Sequence, residues 1–367
     1  MKKLLIIVVV GYLLLLASCK KDDPKTTPAT PTTRTYRIGF QNSAPRFDNF
    51  DLFIQSLTIW TTRADAAIIS VEVPWDSLYA GKPLKQYVLN HFKGLVDYYR
   101  AKKFKVWLYI DPANGLNRGS DARELIALGK SMTQDDAQKL YRRFAVVMDS
   151  ILRPEHLGLA LETNLLRAAS PASLYNGIKK AVNDAAADVR VVDKTVKLSV
   201  SAQADFAWGR LLGNGVYVGI AQDFVDFPFI EELGISAYPY FGFAKPEDIP
   251  LDYYSKLVDG KSLPVFVCEG GWPSQSFTIT GANQKTITSD VTVQQNYFTR
   301  QSQLLDNAKA IGFFQLVVTD IDASSLPSNV DPNINNFIYL GVLDVNLKPK
   351  PSLTTWDGLF KRTLQEK

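Results

Sequence analysis

The amino-acid sequence predicts an α/β fold of the (β/α)8 TIM barrel type. Short apolar runs rich in β-branched and aromatic residues alternate along the 367-residue chain with stretches whose apolar residues have helical spacing. This alternation is typical of strand-helix crossover units, which build a parallel sheet covered by helices. Eight such units over about 330 residues fit a barrel with enlarged loops, a fold whose active sites lie where the strands end.

The predicted strands recur throughout the chain. In chain order they span residues 36–42, 66–73, 105–111, 157–163, 197–203, 233–239, 265–270 and 311–318. Helices are indicated between them, for example by the spacing of Leu84, Val88 and Phe92. An open doubly wound sheet is the alternative, but it would carry a glycine-rich phosphate turn after its first strand. The segment IGFQNSAPRFDNF has no such turn, so the barrel is favoured.

The first residues predict export and lipid anchoring. Lys2 and Lys3 precede an apolar run, residues 4–16, which is too short for a membrane-spanning helix and typical of a secretory signal. The residues LASC resemble the lipobox of bacterial lipoproteins, which implies that Cys19 is the lipidated residue. We therefore predict a signal peptide over residues 1–18 and an outer membrane lipoprotein exposed on the cell surface.

The segment after Cys19 predicts a tether. It begins with KKDD, which resembles an export signal of lipoproteins that reach the outer face of the cell. The following PKTTPATPTTRT is rich in Pro and Thr and lacks large apolar residues, so it should be extended rather than folded. We assign residues 19–34 to the tether and residues 35–367 to a single barrel domain.

Composition and charge exclude several classes of function. The 41 Lys and Arg residues nearly balance the 37 Asp and Glu residues, so nucleic acid is not the expected partner. Besides Cys19 the chain has only Cys268, and its only histidines are His91 and His156. Disulfide frameworks, thiolate or multi-histidine metal sites and Ser-His-Asp triads are therefore not expected. Carboxylates remain as the acid/base groups, and we expect neither a metal nor a cofactor.

Acidic residues stand at or just beyond the ends of six predicted strands: Glu72, Asp111, Glu162, Asp205, Glu269 and Asp320. In a barrel these ends converge on one opening. Two carboxylates across a cavity suit the cleavage of a glycosidic bond. One protonates the leaving oxygen, while the other stabilises or attacks the developing cationic carbon.

The alternation of side chains along a strand predicts which residues face the barrel interior. On the fourth strand, an inward Glu162 places Leu161 on the side of the helices. On the seventh strand, Val267 and Glu269 share the inner face. Cys268 is then predicted to pack beneath a helix as a buried thiol.

The segment CEGGWPS, which contains Glu269, resembles the nucleophile motif of clan A retaining glycoside hydrolases, with its nearest forms in β-1,3-glucanases and endo-β-1,4-galactanases. In these families the acid/base glutamate ends the fourth strand and the nucleophile ends the seventh. The resemblance therefore implies that Glu162 is the acid/base and Glu269 the nucleophile. The segment ISAYPYF is similar to the family's sixth-strand segment, whose tyrosine contacts the nucleophile, and this implies the same role for Tyr238.

A carbohydrate is the expected partner, because aromatic faces pack on sugar rings while amides and carboxylates bind hydroxyl groups. The residues expected to bind it, besides Tyr238, are Asp111, Asn164, Gln203, Trp75, Trp208 and Trp272. The family carries Asn immediately before the acid/base, where this chain has Leu161. Asn164, two residues after Glu162, is the candidate to replace that Asn.

Two functions follow from these observations. The first is a glycoside hydrolase acting with net retention on a polysaccharide or oligosaccharide. The second is a non-catalytic glycan-binding surface lipoprotein on a degenerate barrel, which Leu161 favours.

Overall fold

The structure, a computed structural model, describes residues 31–211, 213, 215–279 and 285–366. Residues from Thr33 onward form one compact unit. The predicted signal peptide, Cys19 and most of the predicted tether lie outside the described residues. Within the described part of the chain, no helix has the length and apolar character needed to cross a membrane.

Eight parallel strands form one sheet that curls into a barrel. They are β1 (Arg37–Phe40), β2 (Ala66–Glu72), β3 (Lys105–Asp111), β4 (His156–Gly158), β5 (Lys197–Gln203), β6 (Glu232–Ala237), β7 (Val265–Gly270) and β8 (Gly312–Gln315). From β2 onward each strand pairs with the next along the chain, and β8 pairs with β1. A single bridge between Gln41 and Ile68 brings the end of β1 against β2, so the ring is nearly closed. The predicted (β/α)8 TIM barrel is confirmed.

Helices occupy the connections between the strands. They span Phe50–Trp60, Trp75–Tyr79, Leu84–Val88, Gly94–Ala101, Arg123–Ala127, Asp135–Leu152, Thr163–Ala169, Ala172–Val192, Ala204–Ala207, Ala221–Asp226, Val291–Ala308 and Pro351–Phe360. A π-helical turn, Leu89–Lys93, makes residues 84–101 one continuous helical segment. Two further strand pairs lie outside the barrel: Thr33–Arg34 with Thr363–Leu364, and Phe277–Ile279 with Lys285–Ile287.

Packed side chains fill the barrel interior at the amino ends of the strands. The indole ring of Trp107 stacks on the His156 ring, with 3.7 Å between centroids, and Phe314 packs against the same indole at 5.0 Å. His156 Nδ1 lies 2.8 Å from Glu232 Oε1. Since these groups occupy the axis of the barrel, its interior is closed on this side.

The inner face of β7 differs from the strict alternation that the sequence predicts. Ile235 of β6 pairs with Val267, but the next residue, Ser236, pairs with Glu269, so Cys268 is an extra residue in a β-bulge. Cys268 belongs to the cluster inside the barrel and Glu269 lines the cavity above it. The prediction that Cys268 packs beneath a helix is therefore wrong. Leu161, predicted on the helix side, also belongs to the interior cluster.

Candidate active site

A cavity of about 960 Å³ lies at the carboxyl ends of the barrel strands. Four of the six predicted strand-end carboxylates line it: Glu72, Asp111, Glu162 and Glu269. Its wall also includes the apolar side chains of Leu161, Leu165, Phe241, Leu316, Val317, Ile321 and Phe337. In the part of the chain that the structure describes, no group of three or more His, Cys, Asp or Glu side chains is arranged to hold a metal ion.

Glu162 reaches the cavity from a sharp turn that follows β4. The strand ends at Gly158, but Leu159 still donates its amide to the Ser199 carbonyl of β5, at 3.0 Å. The Glu162 backbone then adopts a left-handed conformation with φ of 51°, and its amide donates to Ser201 Oγ at 2.8 Å. Such a conformation is uncommon for residues other than glycine and is found preferentially at functional sites.

Arg118 joins two of the cavity carboxylates. Its Nε donates to Glu162 Oε2 at 2.9 Å and its Nη1 donates to Asp111 Oδ2 at 2.6 Å. The three side chains are between 5% and 9% exposed, so water screens these ion pairs little. A planar guanidinium with several donors suits this double contact, which fixes the orientation of both carboxylates.

Ser236 connects Glu162 to Glu269. Its hydroxyl oxygen lies 2.5 Å from Glu162 Oε1 and 2.8 Å from Glu269 Oε1. Because both Oε1 atoms lie within hydrogen-bond distance of the same hydroxyl oxygen, the distance between them is less than the length of two hydrogen bonds. The bulge on β7 makes this contact, because it places Glu269 directly opposite Ser236 in the ladder.

The electrostatic environment of Glu269 favours its protonated form. Burial, and then the charge of Glu162, raise the pKa of Glu269 to about 7, against a smaller lowering effect of the Arg118 charge. Burial also raises the pKa of Asp111, although Arg118 opposes this, and it raises the pKa of Glu72. Glu269 thus gains or loses its proton near neutral pH.

Tyr238 and Gln203, both predicted to bind sugar, are polar residues that line the cavity. Burial raises the pKa of the Tyr238 hydroxyl, and the charges of Glu269 and Glu162 raise it further, so this group remains a neutral donor. The Tyr238 ring packs edge-on against Phe337, with 4.9 Å between centroids. Gln203 Oε1 accepts from the Phe206 amide at 2.6 Å.

The structure is similar to several solved structures over about 90% of this chain. An exo-β-1,4-mannosidase from Opitutaceae bacterium strain TAV5 has a TM-score of 0.65 at 15% sequence identity, with 60% of its chain covered. A GH5_18 protein from Bifidobacterium longum subsp. longum has a TM-score of 0.59 at 14% identity, with 81% covered. A β-glucuronidase from an uncultured Clostridium species has a TM-score of 0.57 at 11% identity, with 51% covered. The chain has the fold of glycoside hydrolase barrels.

At these identities the likenesses establish the fold alone, and the chain spans 60% of the mannosidase and about half of the glucuronidase. Comparison with protein families and with curated proteins finds no match.

Four residues predicted to bind sugar do not line the cavity of this glycosidase-like barrel, which corrects their expected placement. Trp75 is fully buried in the core, and Trp272 is also buried, with Nε1 donating to Ser289 Oγ. Trp208 donates to the Tyr253 carbonyl and packs on its ring. Asn164 exchanges two hydrogen bonds with the Gln203 backbone, at 3.0 and 2.8 Å, and thereby ties the turn after β4 to β5.

The two remaining strand-end carboxylates stabilise loops. Asp205 accepts hydrogen bonds from the Tyr253 hydroxyl at 2.5 Å and from the Tyr238 amide at 2.8 Å. Asp320 accepts from Lys350 Nζ at 2.5 Å, and the same ammonium group donates to Ser274 Oγ at 2.8 Å. Lys350 thereby links the loop that follows Glu269 to the loop that follows β8.

Ser236 and Arg118 belong to the site but are not among the residues predicted for it. A serine in the middle of a strand is common, and nothing in its local sequence indicates two glutamate contacts. The available signal was its position in the predicted sixth strand, two residues before Tyr238 and facing the same side.

Proposed function

We propose that this protein is a glycoside hydrolase that cleaves O-glycosidic bonds with net retention, with Glu162 as acid/base and Glu269 as nucleophile. The main support is that Glu162, which follows β4, and Glu269, next to the last residue of β7, both contact the Ser236 hydroxyl in one cavity. Retaining enzymes hold their two carboxyl groups about 5 to 5.5 Å apart, and inverting enzymes about 6.5 to 9.5 Å apart. The contact through Ser236 fits the shorter separation.

The proposed reaction has two steps. In the first, Glu162 gives its proton to the glycosidic oxygen, the bond from this oxygen to the anomeric carbon breaks, and a Glu269 oxygen bonds to that carbon. In the second, Glu162 takes a proton from water, the water oxygen attacks the anomeric carbon, and Glu269 is released. The first step requires a proton on Glu162 and an ionised Glu269, and the second requires an ionised Glu162 while Glu269 is bonded to the sugar. The raised pKa of Glu269 applies to the ligand-free cavity, so its proton must leave Glu269 before the first step.

The proposed substrate is a polysaccharide or oligosaccharide. The cavity is large enough for sugar rings, and its apolar side chains can pack on ring faces while its carboxylates and Gln203 bind hydroxyl groups. The structural neighbours are named as enzymes acting on mannosides and glucuronides, which supports carbohydrate as the class.

Hydrolysis of a panel of plant and microbial glycans by the full-length chain in detergent tests the proposal. The matched variants are Glu269→Gln and Glu162→Gln. Cleavage of at least one glycan by the wild type, with a loss of several orders of magnitude in both variants, is expected. Equal activity of either variant would contradict the assigned roles.

A non-catalytic glycan-binding protein is the second candidate. The ion pair between Arg118 and Glu162 supports it, because a carboxylate engaged by a buried guanidinium is not free to act as an acid. Leu161, in place of the family's Asn, lines the same cavity. Binding of a glycan without any cleavage, and with equal affinity in both glutamine variants, would favour this function.

We also propose that the chain is an outer membrane lipoprotein anchored through Cys19, as the N-terminal sequence indicates. Growth of expressing cells with a radiolabelled fatty acid should label the wild type and not Cys19→Ser. Equal labelling of both proteins would contradict the anchor.

A further inference from the structure

The Ser236 hydroxyl has one hydrogen atom but lies next to two carboxyl groups. Its oxygen lies within hydrogen-bond distance of both Glu162 Oε1 and Glu269 Oε1. A hydroxyl donates one hydrogen bond and accepts others. If both glutamates were ionised, Ser236 would donate to one of them and turn a lone pair toward the other. Two short contacts are satisfied together only if one carboxyl group is protonated and donates to Ser236.

The ion pairs of the cavity indicate which glutamate holds that proton. Glu162 Oε2 accepts from Arg118, and a guanidinium favours the ionised form of the carboxylate it contacts. Glu269 forms no ion pair within the described residues, since Arg118 directs its donors to Asp111 and Glu162. Burial acts on Glu269 without a cation in contact, and it raises the pKa of this group.

We propose that Ser236 is a proton-positioning residue that holds one proton between the two glutamates of the empty site. Glu269 Oε1–H donates to Ser236 Oγ, and the Ser236 hydroxyl donates to Glu162 Oε1. The catalytic meaning of this arrangement rests on the proposed glycosidase function, but the arrangement itself is a property of the ligand-free protein.

The chain of hydrogen bonds can reverse without any other reactant. The O–H bond of Glu269 breaks as its proton passes to Ser236 Oγ, while the original Ser236 hydrogen passes to Glu162 Oε1. The serine is regenerated, and one proton has moved in effect from Glu269 to Glu162. The result is an ionised Glu269 and a protonated Glu162, which is the state that the first step of the proposed reaction requires.

The other ionisable groups around the pair leave this proton in place. Tyr238 and Cys268 face Glu269 and Glu162, and burial raises the pKa of both, so they remain neutral. Tyr109 lies deeper in the barrel and is also kept neutral by burial. Asp111 is paired with Arg118, and its charge raises the pKa of Glu269 further, in the direction that keeps the proton on Glu269. Burial, and then the charge of Asp111, raise the pKa of Glu72. Arg118 contacts only Glu162 of the two. Arg210 and Lys285 also line the cavity, but within the described residues neither forms an ion pair with Glu162 or Glu269.

Titration of Glu269 in the ligand-free protein tests the proposal. The full-length chain is labelled with glutamate carrying ¹³C at its carboxyl carbon, and the Glu269 signal is assigned by its absence in Glu269→Gln. In the proposed arrangement, loss of the proton converts two hydrogen bonds of Ser236 into one. Ser236→Ala should therefore move the Glu269 midpoint to lower pH, by about one pH unit.

A Glu269 midpoint that rises in Ser236→Ala would indicate that Ser236 donates to an ionised Glu269. If Ser236 only donated to an ionised Glu269, the hydroxyl would lower the pKa of that group, and Ser236→Ala would raise the midpoint. A raised or unchanged midpoint would overturn the proposal. Ser199→Ala, which removes a buried serine hydroxyl bonded to Tyr109 one layer deeper, should leave the midpoint unchanged, and Ser236→Thr should restore it.

The steady-state kinetics of Ser236→Ala provide a second, independent measurement. If the wild type cleaves a glycan, Ser236→Ala should reduce kcat more than it changes KM, because the proton is used in the chemical step. If the wild type cleaves none, the proposed function fails while the titration still decides where the proton lies.

Discussion

Arg118 and Glu162 form an ion pair inside the cavity, with 2.9 Å between Nε and Oε2. The same guanidinium holds Asp111 at 2.6 Å, so one side chain compensates two buried carboxylates. Removal of one partner of a buried pair is costly, because the remaining charge loses both water and its counter-ion.

We expect Arg118→Met to lower the free energy of unfolding by about 3 to 5 kcal/mol at pH 8. The loss should be smaller at pH 5, where the unpaired carboxylates can bind protons. Urea unfolding at the two pH values measures this difference. Arg123→Met, at an exposed arginine that follows in the chain, is the control and should have little effect. An equal loss at both pH values in Arg118→Met would contradict the ion-pair interpretation.

Glu269→Gln should stabilise the protein at alkaline pH. The pKa of Glu269 in the folded protein is about 7, above the ordinary 4.5, so the folded state binds this proton more tightly than the unfolded state does. Its contribution to stability therefore falls as pH rises from about 4.5 to 7 and stays low above that. The variant should gain up to a few kcal/mol at pH 8 and little at pH 4.5, as measured by thermal unfolding. Glu247→Gln, at an exposed acid, should show no such difference; a gain that is independent of pH would contradict the prediction.

Asp149→Asn, on the opposite face of the barrel, should also stabilise the protein at alkaline pH. Asp149 lines a second cavity, with Asp193 and Lys194, and its Oδ1 is buried without a hydrogen-bond partner among the described residues. Burial, and then the charge of Asp193, raise the pKa of Asp149 to about 7. Its ionisation therefore destabilises the fold as pH rises from about 4 to 7.

We expect Asp149→Asn to raise Tm at pH 8 relative to the wild type and to leave it nearly unchanged at pH 4. Asp135→Asn, at an exposed position of the same helix, is the matched control. If the Tm gain of Asp149→Asn is no larger at pH 8 than at pH 4, ionisation of Asp149 does not destabilise the folded protein and the prediction is wrong.

Gly158→Ala should destabilise the barrel strongly. A methyl group at this position would come within 2.0 Å of the Tyr109 ring, which is fully buried and held by Ser199. Overpacking of a core typically costs about 1 to 3 kcal/mol and can cost more where the neighbour cannot move. Gly94→Ala is the contrasting substitution, because its helical site has open space, and it should stabilise by about 0.5 to 1 kcal/mol. Chemical unfolding of both variants measures the difference, and similar effects would contradict the packing argument.

The strands were predictable because their apolar runs are local features, and the positions of Glu162 and Glu269 at the ends of two such runs followed from them. The geometry of the site was not predictable in the same way. The bulge that turns Glu269 toward Ser236 arises from the register between β6 and β7, which no single segment specifies. The contact between Arg118 and Glu162 joins residues 44 positions apart.

The aromatic residues show a second limit of sequence reasoning. Trp75, Trp208 and Trp272 all follow strands, where sugar-binding aromatic residues are also found. Whether a tryptophan on a loop faces a cavity or the core depends on the packing of that loop against its neighbours. Ser289, which accepts the hydrogen bond from Trp272, lies 17 residues further along the chain, beyond a separate pair of short strands.

The stack of Trp107 on His156 closes the barrel beneath the glutamates. A molecule in the cavity consequently has no exit along the barrel axis, and substrate and product both pass through the open side at the carboxyl ends of the strands. For the proposed hydrolase, product that remains beside the two glutamates occupies the site of the next substrate molecule. Competitive inhibition by product, and a turnover rate that is sensitive to how quickly product diffuses out, are the kinetic consequences of this closed floor.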